Sequence, residues 1–259
     1  MHEILRHLPE GARVLDLGSS RGSFDASRYP VSLVRVDLEV PSDRQRDGFV
    51  CADAAALPFA TASFDAIISN HSLEHFERLD KALEEMGRVV KPSGAMFIAV
   101  PDASTLADHL YRWLGRGGGH VNAFRSRDDL IALIEGHTRM RFVAGRTLRT
   151  SLAILNRKNQ SGRIQRKLLL LGGGSETLLV LWSAIARFLD RRLSTRLSVY
   201  GWALYFGEIG EEVDRGTWSN VCVRCGAGYS SAWLENTGRA RSGYTCPGCG
   251  AWNIFTRDW

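Results

Sequence analysis

Four of the five cysteines stand in two C-x2-C pairs: Cys222 and Cys225 in CVRCG, Cys246 and Cys249 in CPGCG. Twenty residues separate the pairs, a spacing that reads as a structural zinc site. Four thiolates close a tetrahedron around the ion and leave no open position, so such a metal holds structure and does no chemistry. Gly226 and Gly250 follow the pairs and supply the tight knuckles. Disulfides are a rival reading, but the start MHEILRHLPEGA has no basic and then apolar leader pattern. A redox C-x-x-C is a second rival, which two pairs at this spacing argue against. The fifth cysteine, Cys51, sits in FVCA and reads as a buried core thiol.

A second group of residues points to a small ligand. Residues 14–24 read VLDLGSSRGSF: an apolar run, an acid, then glycines and small residues. In an open parallel sheet, ligands bind at the carboxyl ends of the strands. Asp16, Gly18, Ser20 and Gly22 fall at such an end, and the glycines permit close backbone approach. The turn reads G-S-S-R-G and lacks the middle glycine of a dinucleotide G-x-G-x-x-G. Another acid, Asp37, ends the next apolar run 21 residues later, and its two oxygens can accept from both hydroxyls of a ribose. Each of these acids alone has a plainer reading, as a turn or helix cap or a strand end.

The elements that must position these residues alternate between strand and helix over 1–150, the pattern of an α/β sheet with crossover helices. Strands are predicted over Val14–Leu17, Leu33–Asp37, Phe49–Ala52, Phe64–Ser69 and 95–100 (AMFIAV). A short helix over Ser23–Arg28 is predicted to stop before Pro30. Leu79, Ala82, Leu83, Met86, Val89 and Val90 recur at helical spacing, and KPSG is expected to end that helix. Further helices are expected over Ser104–Leu114 and Ser126–Glu135, and strands over Arg141–Leu148 and Val199–Phe206. Residues 150–197 read as a basic helical hairpin broken at GGG (172–174).

The turn resembles the first motif of class I S-adenosylmethionine-dependent methyltransferases, acid-x-Gly-x-Gly-x-Gly, with Ser20 in place of the middle glycine. Further segments resemble the same family, in its small-molecule, type 11-like branch, in order and spacing over about residues 10–150. CADAAALPFATASFDAI (51–67) resembles its adenine-side segment, ISNHSLEHF (68–76) its fourth-strand exit, and VVKPSGAMFIAVP its turn into the fifth strand. The resemblance implies a doubly wound, seven-stranded Rossmann-like α/β sheet with its last strand antiparallel, which VYGWALYF would supply. It implies S-adenosylmethionine as cofactor, held by Asp16, Gly18, Ser20, Gly22, Asp37, Leu38, Asp53, Ala54, Asn70 and His71. Asp53 would accept from the adenine amino group, and Asn70 and His71 would line the methionine end. The domains expected are 1–210 for the methyltransferase with an insertion at about 150–197, a linker at 211–219, and a zinc ribbon at 220–259.

Methyl transfer from a sulfonium is an in-line displacement, so holding the acceptor in line does much of the work. A base is needed only when an O–H or N–H must lose its proton. His75, in the Glu74-His75 pair, and His120, in GGGHVNAF, are the candidate catalytic residues. The plainer readings are a helix-start histidine and a polar loop residue. The triple glycine before His120 fits a lid or a plain flexible loop.

Composition bounds the rest. With 44% hydrophobic and 24% charged residues, the chain has globular values. Between Arg139 and Arg196 stand 13 Lys/Arg against two acids, a surplus of 11 that leaves the remainder at −6. Such a segment suits an anionic partner or a solvated helical face. Thr177–Leu189 is too short and too charged to span a bilayer, yet with RRLSTR after it could lie on anionic lipid. The first reading is a cytoplasmic methyltransferase acting on a small-molecule, glycan or lipid-linked acceptor. Rivals are an RNA methyltransferase docking through the ribbon and basic segment, and a non-catalytic binding protein on the same fold. The aromatic residues Tyr229, Trp233, Tyr244, Trp252, Phe255 and Trp259 could stack bases, but a ribbon this small needs them first for packing.

Overall fold

A computed structural model describes residues 1–18, 22–40, 48–106, 108–109, 119–149, 151–156, 158–159, 175–210, 218–239 and 241–257. The chain divides into two compact units. The first comprises 1–100, 121–145 and 203–215, and the second comprises 101–120, 146–202 and 216–259.

The sheet is built from β1 (Arg13–Leu17), β2 (Ser32–Asp37), β3 (Phe49–Cys51), β4 (Phe64–Asn70), β5 (Val90–Pro101), β6 (Phe142–Leu148) and β7 (Gly201–Gly207). Its order is β3-β2-β1-β4-β5-β7-β6. β1 pairs with β2 and β4, β2 with β3, and β4 with β5, all in parallel. The direction of β7 follows from its hydrogen bonds. Gly207 N donates to Arg141 O and Tyr200 N to Leu148 O; Glu208 N donates to Gly94 O and Asp102 N to Tyr200 O. As β5 and β6 ascend, β7 descends, which makes it the antiparallel strand. The fold is the Rossmann-like seven-stranded sheet expected for a methyltransferase.

The central strands are apolar on both faces, as a covered parallel sheet demands. Val14, Leu15, Phe64, Ala66, Ile67, Ile68, Met96, Phe97 and Ile98 are all fully buried. Helix α1 (His2–His7) buries Ile4 and Leu5. Helix α2 (Leu79–Val89) buries the stripe read from its periodicity, Ala82, Leu83, Met86 and Val89. Burial of Leu83 and Met86 alone contributes about 1.5–3 kcal/mol each. Helix α3 (Arg127–Thr138) starts one residue inside its expected start: Ser126 is the cap, its hydroxyl accepting from Asp129 N at 3.2 Å.

Local expectations needed correction at four places. Ser23–Arg28 forms only a 3-10 turn, Ala26–Arg28: Asp25 caps its start by accepting from Ser27 N, and Pro30 follows just past its end. β5 starts at Val90, not at Ala95, and KPSG is absorbed in a register irregularity between Phe64 and Ala66. Cys51 is exposed, not buried, since β3 is the edge strand. Of the expected hairpin, one helix is described, α4 (Glu176–Leu193), with a 3-10 turn at Ser151–Leu155. Most of Ser104–Leu114, the GGG break and 211–217 lie outside the described residues.

The second unit contains α4, the cysteine segment and a shared core. Short hairpins β8 (Asn220–Val221) with β9 (Gly228–Tyr229), and β10 (Gly243–Thr245) with β11 (Trp252–Ile254), carry the cysteine pairs. Between them stands α5 (Ser231–Asn236). Val223, Trp252 and Ile254 pack in one cluster with Ala153, Leu155 and Leu179. Asn159 ties the segments further, its Nδ2 donating to Trp252 O and its Oδ1 accepting from Trp252 N.

Candidate active site and thiol centre

The register lines up the acids and the amide. Asp16 stands opposite Arg35 of β2 and Ile68 of β4, Asp37 opposite Cys51, and Asn70 opposite Ala99. Asp16, Asp37 and Asn70 therefore sit at or near the carboxyl ends of neighbouring strands, with Asp53 just beyond β3. Three interstrand steps from β3 to β4 span about 14 Å.

Asp16 is fully buried and anchors the glycine turn. Its Oδ2 accepts from Ser23 N at 2.8 Å and its Oδ1 from Ser23 Oγ at 2.6 Å. The carboxylate thus pins the far end of the turn. Burial raises its pKa to about 6, and the two Ser23 bonds only partly offset this. Gly18 sits at φ +68°, and its N–H donates to Val36 O at 2.8 Å. A Cβ there would lie 2.4 Å from Ser72 Cβ. Gly22 is likewise left-handed, at φ +96°. Ser20 lies outside the described residues.

Asp37 closes β2, Leu38 beside it is 69% exposed, and the Cys51 thiol donates to Leu38 O at 3.3 Å. Asp53 holds its own turn, accepting from Ala55 N at 2.8 Å, and pairs with Arg78 at 2.7 Å. The Ala55 N–H, then Arg78, keep its carboxyl below the ordinary range. Ala54 is buried. Asn70 ends β4, and its Oδ1 is buried without a hydrogen-bond partner among the described residues. His71 takes a left-handed backbone, φ +56°, and its N–H donates to Ala99 O.

Two residues overlooked in the sequence organise this edge. Ser72 fills the space that Gly18 leaves open, donates to Leu17 O at 3.0 Å and shares a 2.6 Å hydrogen bond with Ser69. Asn122 donates through Nδ2 to Leu73 O and Phe76 O, while Val121 N and Asn122 N both donate to Glu74 O. The turn carrying Glu74 and His75 is therefore clamped from a distant segment. Glu74 is buried and His75 exposed. Nothing in a serine's or an asparagine's identity signals such long-range partners. His120, in the second unit, is buried against Asp108, Nδ1 to Oδ1 3.2 Å. Asp108 was also missed.

The thiol centre is regular. Cys222, Cys225, Cys246 and Cys249 place their sulfurs within 4.8 Å of one another. Two cross-pair separations are 3.5 Å (Cys222–Cys249) and 3.6 Å (Cys225–Cys246). Sulfurs at about 2.3 Å from a tetrahedral ion would stand roughly 3.8 Å apart, so the cage fits. Its halves repeat: Gly226 N donates to Cys222 O and Gly250 N to Cys246 O, while Cys222 N donates to Ala227 O and Cys246 N to Ala251 O. Gly226 and Gly250 share left-handed φ values of +69° and +73°. Asn253 Nδ2 reaches Cys222 Sγ at 3.5 Å, and the Tyr229 hydroxyl meets Cys246 Sγ at 3.3 Å. Tyr244 and Trp252 are buried, and Tyr229 stacks on the half-exposed Trp233. Trp259 lies outside the described residues.

Residues 10–98 match the family described as Methyltransferase domain (Methyltransf_11). Malonyl-(acyl-carrier protein) O-methyltransferase of Methylococcus capsulatus is 35% identical over 163 residues, 56% of this chain and 58% of that protein. A tRNA (carboxymethyluridine(34)-5-O)-methyltransferase of Macaca fascicularis is 35% identical over 106 residues, 38% of this chain and 16% of that one. In structure, a phosphoethanolamine N-methyltransferase 2 from Haemonchus contortus superposes with TM-score 0.52 at 16% identity, over 80% of this chain and 51% of that one, which shows the fold alone. The first of these relatives is spanned to little more than half its length. Residues 10–98 thus match a methyltransferase domain.

Proposed function

We propose that this chain is an S-adenosylmethionine-dependent methyltransferase acting on a small-molecule, glycan or carrier- or lipid-linked acceptor. The supporting observation is the row formed by the Asp16-pinned turn, Asp37, Asp53 and Asn70 along one carboxyl edge. The residues fit the cofactor. Asp37 offers two acceptors for ribose hydroxyls, Ala54 a backbone edge for adenine, and Gly18 and Gly22 two left-handed backbone positions without side chains. Asn70 Oδ1, buried without a partner among the described residues, suits the ammonium of the methionine end. Bound there, the cofactor supplies an electrophilic methyl group on a good leaving group.

The chain's own part is orientation and proton management. Asp16 holds the turn in shape, and Asn122 clamps the Glu74–His75 turn. Of the two candidate histidines, His120 lies in the second unit with Asp108 accepting at its Nδ1; its proposed role is to take a proton from an acidic acceptor group. His75, being exposed, is the second candidate. The O-methyltransferase relative supports an oxygen acceptor on a carrier-linked group.

The cysteine cage is proposed to hold one structural Zn2+. Asn253 and Tyr229 beside the sulfurs support it, as such partners orient ligating groups.

A second reading, an RNA acceptor, is favoured by the tRNA-modifying relative and the basic segment. Burial of Tyr244 and Trp252 removes two of the aromatics that could have stacked bases. Calorimetric titration with S-adenosylmethionine tests the main proposal. Micromolar binding lost in Asp37→Ala supports it, and absence of binding to the wild type overturns it. The RNA reading requires salt-sensitive binding to bulk RNA.

A further inference from the structure

Helix α4 (Glu176–Leu193) is oriented against ordinary expectation. Its inward face carries Leu179, Ser183 and Arg187, all buried. The Arg187 guanidinium points to Phe255 O and Arg149 O at 3.4–3.5 Å, and burial lowers its pKa to about 10. Its outward face carries Leu178, Leu181, Trp182, Ile185 and Phe188, at i, i+3, i+4, i+7 and i+10. Each of these is 40–56% exposed. Of the eleven large hydrophobic residues exposed among the described ones, six belong to this helix, Leu193 being the sixth. Scattered exposed apolar residues are ordinary, but a continuous stripe on one helix marks an interaction surface. A guanidinium turned in while an indole is turned out is not what burial alone would select.

We propose that this face of α4 docks in the plane of an anionic membrane surface. Charge decides the occupant. Arg192 lies over the Phe188 ring at 5.7 Å, on the apolar face itself, and the exposed Arg191 is its neighbour. Arg196, just past the helix end, is paired with the buried Asp102 carboxylate at 2.5 Å and adds no free charge to the face. The two acids of the region are engaged elsewhere. Glu176 pairs with Lys158 at 2.9 Å, and Asp190 accepts from Thr195, Leu197 N and Ser198 N. The face therefore offers apolar side chains, an indole suited to the headgroup boundary, and arginines at one end. The described helices include none long and apolar enough to cross a membrane, so the mode is lying on the surface. Eighteen residues give about 27 Å of contact.

The test is flotation of the full-length protein with phosphatidylcholine vesicles and with vesicles containing roughly one quarter phosphatidylglycerol. Flotation with the anionic vesicles only is expected. Trp182→Ser/Phe188→Ser should abolish it, and Arg191→Glu/Arg192→Glu should weaken it at least about tenfold. Both variants change exposed positions and should keep the wild-type thermal midpoint. No flotation of the wild type, or undiminished flotation of the Trp182/Phe188 variant, overturns the proposal. Sedimentation showing a dimer that this variant dissolves would instead assign the face to a second copy and likewise overturn it. None of these readouts depends on methyltransferase activity.

Discussion

Asp108 Oδ1 lies 3.2 Å from His120 Nδ1, and both side chains are almost wholly buried, at 1% and 6% exposed. A carboxylate there fixes the tautomer and orientation of the ring. If His120 takes a proton during methyl transfer, Asp108→Asn should lower kcat about 10–100-fold and leave S-adenosylmethionine affinity unchanged. The check is the split between kcat and cofactor affinity, measured beside the unfolding midpoint. A fall in kcat with affinity and midpoint unchanged supports the positioning role. A parallel loss of thermal stability would mean that Asp108 acts only on the local structure.

Replacing Gly18 is expected to damage the turn from two directions. The added Cβ meets Ser72 Cβ at 2.4 Å, and φ of +68° is strained for alanine. Gly18→Ala should destabilise by about 2–4 kcal/mol. Gly22→Ala, whose Cβ would have its nearest neighbour at 3.8 Å, should be affected by backbone strain alone, about 1 kcal/mol. Thermal unfolding of the two variants compares them directly.

Asp16 sets a pH dependence of stability. Its folded pKa, raised to about 6, stands above the ordinary 3.8. Between those values the folded state binds more protons than the unfolded one, so stability falls as pH rises through that window and is level above it. The loss reaches about 3 kcal/mol at most. Denaturant titrations at pH 4.5 and 7, both estimates of a convenient window, should show this slope reduced in Asp16→Asn, which has no charge to bury.

Chelation should loosen more than the cysteine segment. Val223, Trp252 and Ile254 share a core with Ala153, Leu155 and Leu179, so loss of a metal would expose α4 as well. Elemental analysis should give one zinc per chain. Cys222→Ser or strong chelator should open arginines of 146–196 to trypsin while the sheet strands 13–100 stay protected.

The strands of the sheet and the α2 stripe were legible because buried strands and amphipathic helices impose periods on the sequence itself. The acid at the end of β2 and the C-x2-C spacing were legible for the same local reason. What was not legible depends on partners far along the chain. Cys51 lies in an apolar run, yet β3 is an edge strand, and only the strand order reveals that. Ser72, Asp108 and Asn122 carry no motif; their roles arise from Leu17, His120 and the Leu73–Phe76 turn. The outward stripe of α4 was visible as hydrophobicity, but Arg187 decides which side is turned in, and a helical period alone does not say so.

The placement of β7 between β5 and β6 has a consequence for synthesis. A ribosome delivers β5 by residue 101 and β6 by residue 148, but the strand that joins them arrives only at 201–207. For about a hundred residues of elongation, five to twenty seconds at bacterial or eukaryotic rates, the apolar run Ala95–Val100 has an open hydrogen-bonding edge. A nascent chain in that interval is a template for another nascent chain on the same message. Slow codons between β6 and β7 should therefore favour aggregation, and slow codons after β7 should not.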